Sequence, residues 1–132
     1  MNIAEIMIPK VCTVFLQASD SVRQGMEIIT RHGYTAVPVL DGGQHYVGCI
    51  TEGDLLRHIM AIQSTDYKVL EYCSIGSLVR RDFCPALPID ADEKTVIDTI
   101  LNQNFVPIVD SRNALCGILT RRGIIAYLAD RK

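Results

Sequence analysis

Residues 37–56 read VPVLDGGQHYVGCITEGDLL, and residues 106–125 read VPIVDSRNALCGILTRRGII. The two stretches align without a gap at an offset of 69, so that Pro38, Asp41, Gly48 and Thr51 face Pro107, Asp110, Gly117 and Thr120. Each holds two short apolar runs joined by a turn, DGGQH or DSRN, built from residues that favour turns. Each then reaches a threonine followed by apolar residues at helical spacing. The chain is written twice, and self-similarity of this kind decides an architecture.

Upstream the repetition continues at a different offset. Ile3, Ile6, Cys12 and Asp20 recur 72 residues later as Ile75, Leu78, Cys84 and Asp92. The second copy has therefore lost three residues between its long helix and the strand that follows. In each copy a short helix (3–8; 75–80) is expected to lead into an extended stretch (11–16; 83–88). A helix on Val22, Met26 and Ile29, or Val96, Ile100 and Leu101, comes next, with Asp20 or Asp92 placed to start it. Two strands follow (36–40 and 46–50; 105–109 and 114–119). A last helix closes each copy on Leu55, Leu56 and Ile59, or on Ile124, Ile125 and Leu128. This predicts an α/β (α+β) chain of two β-α-β-β-α repeats, 1–60 and 75–132, with a partly helical linker over 61–74. A unit of about 60 residues buries only about 60% of its surface and is marginal alone. The repeats are therefore expected to pack sheet to sheet as one domain with pseudo-twofold symmetry.

The 132 residues are 48% hydrophobic and 21% charged, with a net charge of −2. That balance carries no general footprint for nucleic acid, so an anion site must be local. No apolar run approaches a bilayer span, and MNIAEIMIPK lacks a signal-peptide layout, so a cytoplasmic protein without membrane contact is expected. The five cysteines (Cys12, Cys49, Cys73, Cys84, Cys116) are an odd number with no metal-ligand spacing. They read as buried, reduced thiols, three of them in apolar runs, with no metal site and no disulfide frame. His32, His45 and His58 stand in helix ends or turns without a nucleophile–base motif, and no catalytic residue is expected.

The order β-α-β-β-α, present twice with VPVLD…VGCITEGDLL and VPIVD…CGILTRRGII, resembles a pair of CBS domains, the Bateman module. The resemblance covers essentially the whole chain. It implies a non-catalytic regulatory module that binds adenine nucleotides in two clefts, each taking the Thr-containing turn of one copy and the adenine-facing wall of the other. It also implies a homodimer and a client protein, because the chain consists of two CBS copies and no output domain.

The two implied clefts differ in character. One would pair Thr51 and Asp54 with a wall around Cys84, Ala86 and NQNF (102–105, ending at Phe105), in the copy that lost three residues. An Asp at this position binds ribose in the family, and the Thr reaches phosphate. Thr-x-x-Asp before an apolar helix is equally a capping box, and both roles can coexist. This cleft is taken as secondary and weaker.

The other would join Thr120, Arg121 and Arg122 to a wall of Lys10, Cys12, Val14, Tyr34, Thr35, Ala36 and Pro38. Gly123 stands where the ribose Asp would be. Two arginines in the first turn of a helix oppose its dipole, at roughly 0.3–1 kcal/mol each where exposed. They are tolerable if they meet a phosphate, which helix N-termini and guanidiniums both favour. The alternative is that they snorkel into solvent or pair with Asp90 or Asp130. TRR at this turn, with a GYTA-P wall and a short second copy, is similar to the stand-alone cyclic-di-AMP receptor proteins of Gram-positive bacteria. That likeness implies cyclic-di-AMP as ligand. Retained Asp54 keeps AMP, ADP or ATP in play.

Overall fold

A computed structural model describes residues 1–131. Two compact units organise them: Val14–Phe83, and Met1–Thr13 together with the chain from Cys84 onward.

In the Val14–Phe83 unit, β2 (Leu16–Gln17) lies parallel to β3 (Ala36–Leu40), which pairs antiparallel with β4 (Tyr46–Thr51). A parallel pair needs a crossover, and α2 (Val22–His32) supplies it. β3 is the central strand and is buried along nearly its whole length. Pro38 is tolerated there because the parallel pairing begins only at Val39. α3 (Glu52–Ile62), α4 (Tyr67–Tyr72) and a 3-10 turn at Ile75–Ser77 complete the unit. Leu16, Val22, Ile29, Val37, Ile50 and Leu55 form the centre of its core.

The other unit repeats the plan. β5 (Leu87–Pro88) is parallel to β6 (Phe105–Val109), and β6 is antiparallel to β7 (Leu115–Thr120). α5 (Glu93–Ile100) crosses between β5 and β6, and α6 (Arg121–Asp130) follows β7. Both hairpins carry an irregularity at the same place, between Val39 and Leu40 and between Ile108 and Val109. Asp41 and Asp110 fold the two turns alike, each Oδ1 accepting from backbone N–H groups two and four residues on. The two hairpins are thus alike to the level of a single turn side chain.

Three expectations need correction. The lead-in helices are shorter than the apolar spacing suggested: α1 spans Ile3–Ile6, and the second is the 3-10 turn Ile75–Ser77. Ile8–Pro9 instead forms β1, in keeping with the extended bias of a residue before proline. The expected extended stretch 11–16 begins inside a 3-10 turn, Lys10–Cys12, which leaves Cys12 exposed rather than buried. Asp20 does not cap α2. Its carboxylate accepts from Gln17 N at 2.8 Å, and Ser21 forms a capping box with Gln24. Asp92 does cap α5, through Thr95 N at 2.8 Å.

The compact units also cut across the repeats. β1 pairs antiparallel with β7, Ile8 opposite Ile118 and Pro9 opposite Gly117, so the first copy's lead-in completes the second copy's sheet. Reciprocally, Arg80 bridges to Cys49 in β4, and Ile75 and Gly76 donate to the carbonyls of Asp20 and Ala18. Glycines at equivalent positions make room for both visitors. A Cβ on Gly48 would stand 2.8 Å from the Arg80 carbonyl, and its φ of 151° disfavours any side chain. A Cβ on Gly117 would collide with the Ile8 carbonyl oxygen. Gly117→Ala should therefore destabilise the protein by about 1–3 kcal/mol, the usual cost of overpacking. Urea unfolding checks this, and a change below about 0.5 kcal/mol would mean β1 is dispensable.

Candidate functional site

The turn between β7 and α6 is held by its own threonine. Thr120 Oγ1 accepts from Gly123 N at 3.0 Å and satisfies one of the free N–H groups of the first turn. Arg121 and Arg122 then stand exposed at the positive end of α6. Neither pairs with Asp90 or Asp130. Arg121 Nε donates to the carbonyl of Ile100 at 3.2 Å, at the end of α5. A helix C-terminus leaves carbonyls unsatisfied and carries partial negative charge, so Arg121 is welcome there. Its outer guanidinium nitrogens are not used by that bond. Arg122 makes no hydrogen bond or ion pair with any described residue, and its charge is open to a ligand.

Lys10 and Cys12 lie in the same unit as this turn, in the 3-10 segment that packs against β7. The antiparallel register, however, places Ile6, not Lys10, beside Gly123. It carries Lys10 toward the opposite end of β7, roughly 10–13 Å along the strand at about 3.3 Å per residue.

Val14, Tyr34, Thr35, Ala36 and Pro38 belong to the Val14–Phe83 unit. Pro38 is buried within β3, and Val14 is half-buried against the core. Tyr34 is 44% exposed and stacks on His32, with ring centroids 5.4 Å apart and planes 11° from parallel. The Thr35 carbonyl accepts from Glu52 N at 3.0 Å, tying this segment to the first turn of α3. Tyr34 also borders an open groove of about 350 Å³ between α2 and α3, lined by Met26, Ile29, Leu55 and Ile59 among others.

Thr51 and Asp54 form the capping box that their spacing suggested. Asp54 N donates to Thr51 Oγ1 at 3.1 Å, and Thr51 N donates to Asp54 Oδ2 at 2.9 Å. Asp54 is only 7% exposed, and two arginines enclose it. Arg57 Nη2 donates to Oδ1 at 2.8 Å, and Arg80 brings Nε to 2.9 Å from the same oxygen and Nη2 to 3.4 Å from Oδ2. The Arg80 Nε contact is one of charge, since its N–H does not point at the oxygen. Arg80 lies in turn over the Phe83 ring, 3.7 Å from its centroid. Burial alone would raise the Asp54 pKa, but the Thr51 bonds and the two guanidiniums outweigh it and hold the carboxyl below its ordinary 3.8. The carboxylate is fully engaged by its own chain. Arg57 was legible as an i,i+3 partner of Asp54; Arg80, 26 residues away, carried no signal.

The wall expected around Cys84, Ala86 and Phe105 is also engaged. Cys84 and Phe105 are buried, and Ala86 is half-buried. Gln103, within the NQNF stretch expected at this wall, is buried among them. Its Nε2 donates to Phe105 O at 3.0 Å, Pro85 O at 3.2 Å and Cys84 Sγ at 3.2 Å.

Comparison with known proteins bears on the family and the fold. The CBS domain family model matches residues 3–61 and 75–130. The cyclic di-AMP receptor B of Bacillus subtilis (strain 168) is 23% identical over 127 residues, covering 96% of this chain and 86% of that protein. The crystal structure of CbpB in complex with c-di-AMP superposes with a TM-score of 0.88 at 21% identity, covering 98% of this chain and 85% of the other. CBSX2 in complex with AMP gives a TM-score of 0.78 at 23% identity, with 98% of each chain covered. The structural likenesses establish the fold.

Proposed function

The chain belongs to the CBS-domain family, and on that premise we propose that it is a non-catalytic sensor of adenine nucleotides that regulates a partner protein. Cyclic-di-AMP is the ligand best suited to it. The observation that carries this reading is Arg122, an exposed guanidinium at a helix N-terminus without a partner among the described residues. Arg121 beside it is anchored by one nitrogen only. A cyclic dinucleotide offers phosphodiesters but no free 3′ hydroxyl, which suits a turn with Gly123 in place of a carboxylate. The likeness to a cyclic-di-AMP receptor and to CbpB supports the same choice. Tyr34, Thr35 and Ala36 are the adenine-facing residues of this reading, with Tyr34 offering a flat exposed ring.

A second reading, a site for AMP, ADP or ATP, is favoured by one specific likeness, that to CBSX2 with AMP. It is weakened by the state of Asp54, which would have to leave Thr51, Arg57 and Arg80 to serve a ribose.

Thermal and urea unfolding with each nucleotide separates the readings. Cyclic-di-AMP at 100 times its dissociation constant should stabilise the protein by about 2.7 kcal/mol. A flat response to cyclic-di-AMP with a clear response to AMP would replace the first reading by the second. A flat response to every adenine nucleotide would leave a ligand-free interaction domain.

We also place the protein in the cytoplasm as a homodimer. Among the described residues no helix is long and apolar enough to cross a membrane. Leu56 and Met60 on α3 and Ile125 on α6 expose large apolar side chains, Leu56 and Ile125 at equivalent positions of the two copies. Sedimentation of the same samples checks the dimer.

A further inference from the structure

Gln103 is 9% exposed, and its carboxamide nitrogen faces three acceptors, the carbonyls of Phe105 and Pro85 and the sulfur of Cys84. An amide NH2 has two protons, so one of them is shared. With two carbonyls as partners, only the nitrogen fits in that position. A planar NH2 donor seated among backbone carbonyls is chemically what the exocyclic amine of an adenine would be at the same place.

The other copy provides an internal control. The residue equivalent to Gln103, again two positions before its strand, is Tyr34. That side chain is 44% exposed and stacks on His32 rather than lying buried among backbone carbonyls. The difference accompanies the three-residue loss: α5 has 8 residues where α2 has 11, close to one helical turn fewer.

We propose that Gln103 is a resident occupant of the amine-accepting wall of the second copy, closing that wall to adenine and leaving only the first copy's wall open. The proposal rests on the adenine-sensor reading above. An entering amine would exchange one NH2 donor for another and gain no hydrogen bond at the carbonyls. It would also compete with a donor tethered at an effective concentration of at least roughly millimolar. Gln103 thereby determines how many adenines one chain accepts.

The test counts AMP bound per chain by equilibrium dialysis on the full chain, wild type against Gln103→Ala, with urea unfolding to confirm that the variant is folded. One additional saturable AMP site in Gln103→Ala is the expected result. An unchanged count in the folded variant would overturn the role of Gln103 and leave the sensor reading standing. If wild type binds no AMP and the variant binds one, the occupant role holds while the sensor reading of the first wall fails. Should Gln103→Ala not fold, the side-chain amide signal of Gln103 in wild-type protein serves instead. It should keep its shift and slow solvent exchange under saturating AMP, and its displacement by AMP would overturn the proposal.

Discussion

Cyclic-di-AMP affinity is expected to fall more than a hundredfold when Arg121 and Arg122 are both replaced by Gln. The loss is about 3 kcal/mol, because charge-assisted hydrogen bonds are worth roughly 1.5–3 kcal/mol each. The single variants should divide in a way that the sequence did not suggest. Arg122 has no partner among the described residues, so Arg122→Gln removes a cation from the positive end of α6 and leaves the free protein unchanged or more stable by a few tenths of a kcal/mol. Arg121 holds the Ile100 carbonyl, and Arg121→Gln should cost about 1 kcal/mol of stability after the dipole relief is offset. Isothermal titration and urea unfolding on the same three proteins read both effects. If Arg122→Gln binds cyclic-di-AMP as wild type does, the phosphate reading of this turn is wrong.

Asp54→Ala should act on stability and spare the ligand. The carboxylate completes the capping box of α3 by accepting from Thr51 N, and it is the common partner of Arg57 and Arg80. Losing a cap costs about 0.5–2 kcal/mol. The arginines add less than a buried pair would, because their side chains are 65% and 41% exposed and remain solvated without it. A total of about 2–3 kcal/mol is expected. Cyclic-di-AMP affinity should stay within about threefold, as for an independent site.

The effect has a sign in pH. The folded pKa lies below the ordinary 3.8, so the stabilisation is fully present above that value. It is lost as pH falls through the folded pKa. The gap between wild type and Asp54→Ala should therefore hold at neutral pH and close in acid, below about pH 4. A gap that persists at low pH would show that the charge is immaterial. A large loss of cyclic-di-AMP binding by folded Asp54→Ala would place the ligand at the Thr51 turn instead.

Much of the fold was legible because it rests on local chemistry written twice. The turns at Asp41 and Asp110, the threonine caps and the central strands are all set by residues within a few positions of each other. Asp20 misled because Ser21, one residue on, has Gln24 at capping-box spacing and takes the role. The lead-in helices misled because an i,i+3 apolar pair is satisfied by a single helical or 3-10 turn as well as by a longer helix, and Gly48 and Gly117 marked the receiving positions without naming the visitor. At the candidate site, Arg121 to Ile100, Asp54 to Arg80 and Gln103 to Pro85 are separated by 21, 26 and 18 residues, and no periodicity reports such contacts. The three-residue loss was visible, but its effect on Gln103 became apparent only from the buried hydrogen bonds.

The pairing of β1 with β7 also has a bearing on biosynthesis. Ile8 leaves the ribosome roughly 110 residues before Ile118, its partner across the sheet. At about 5–20 residues per second, the nascent chain carries an unpaired N-terminal strand for some 5–20 s. Until β7 emerges, the backbone donors and acceptors of Ile8 and Pro9 have only water or a chaperone to meet. The first repeat can collapse around its own helices during that time, but the N-terminus docks only once the second hairpin exists. Completion of that sheet is thus deferred until the second hairpin has emerged, about 110 residues after its first strand.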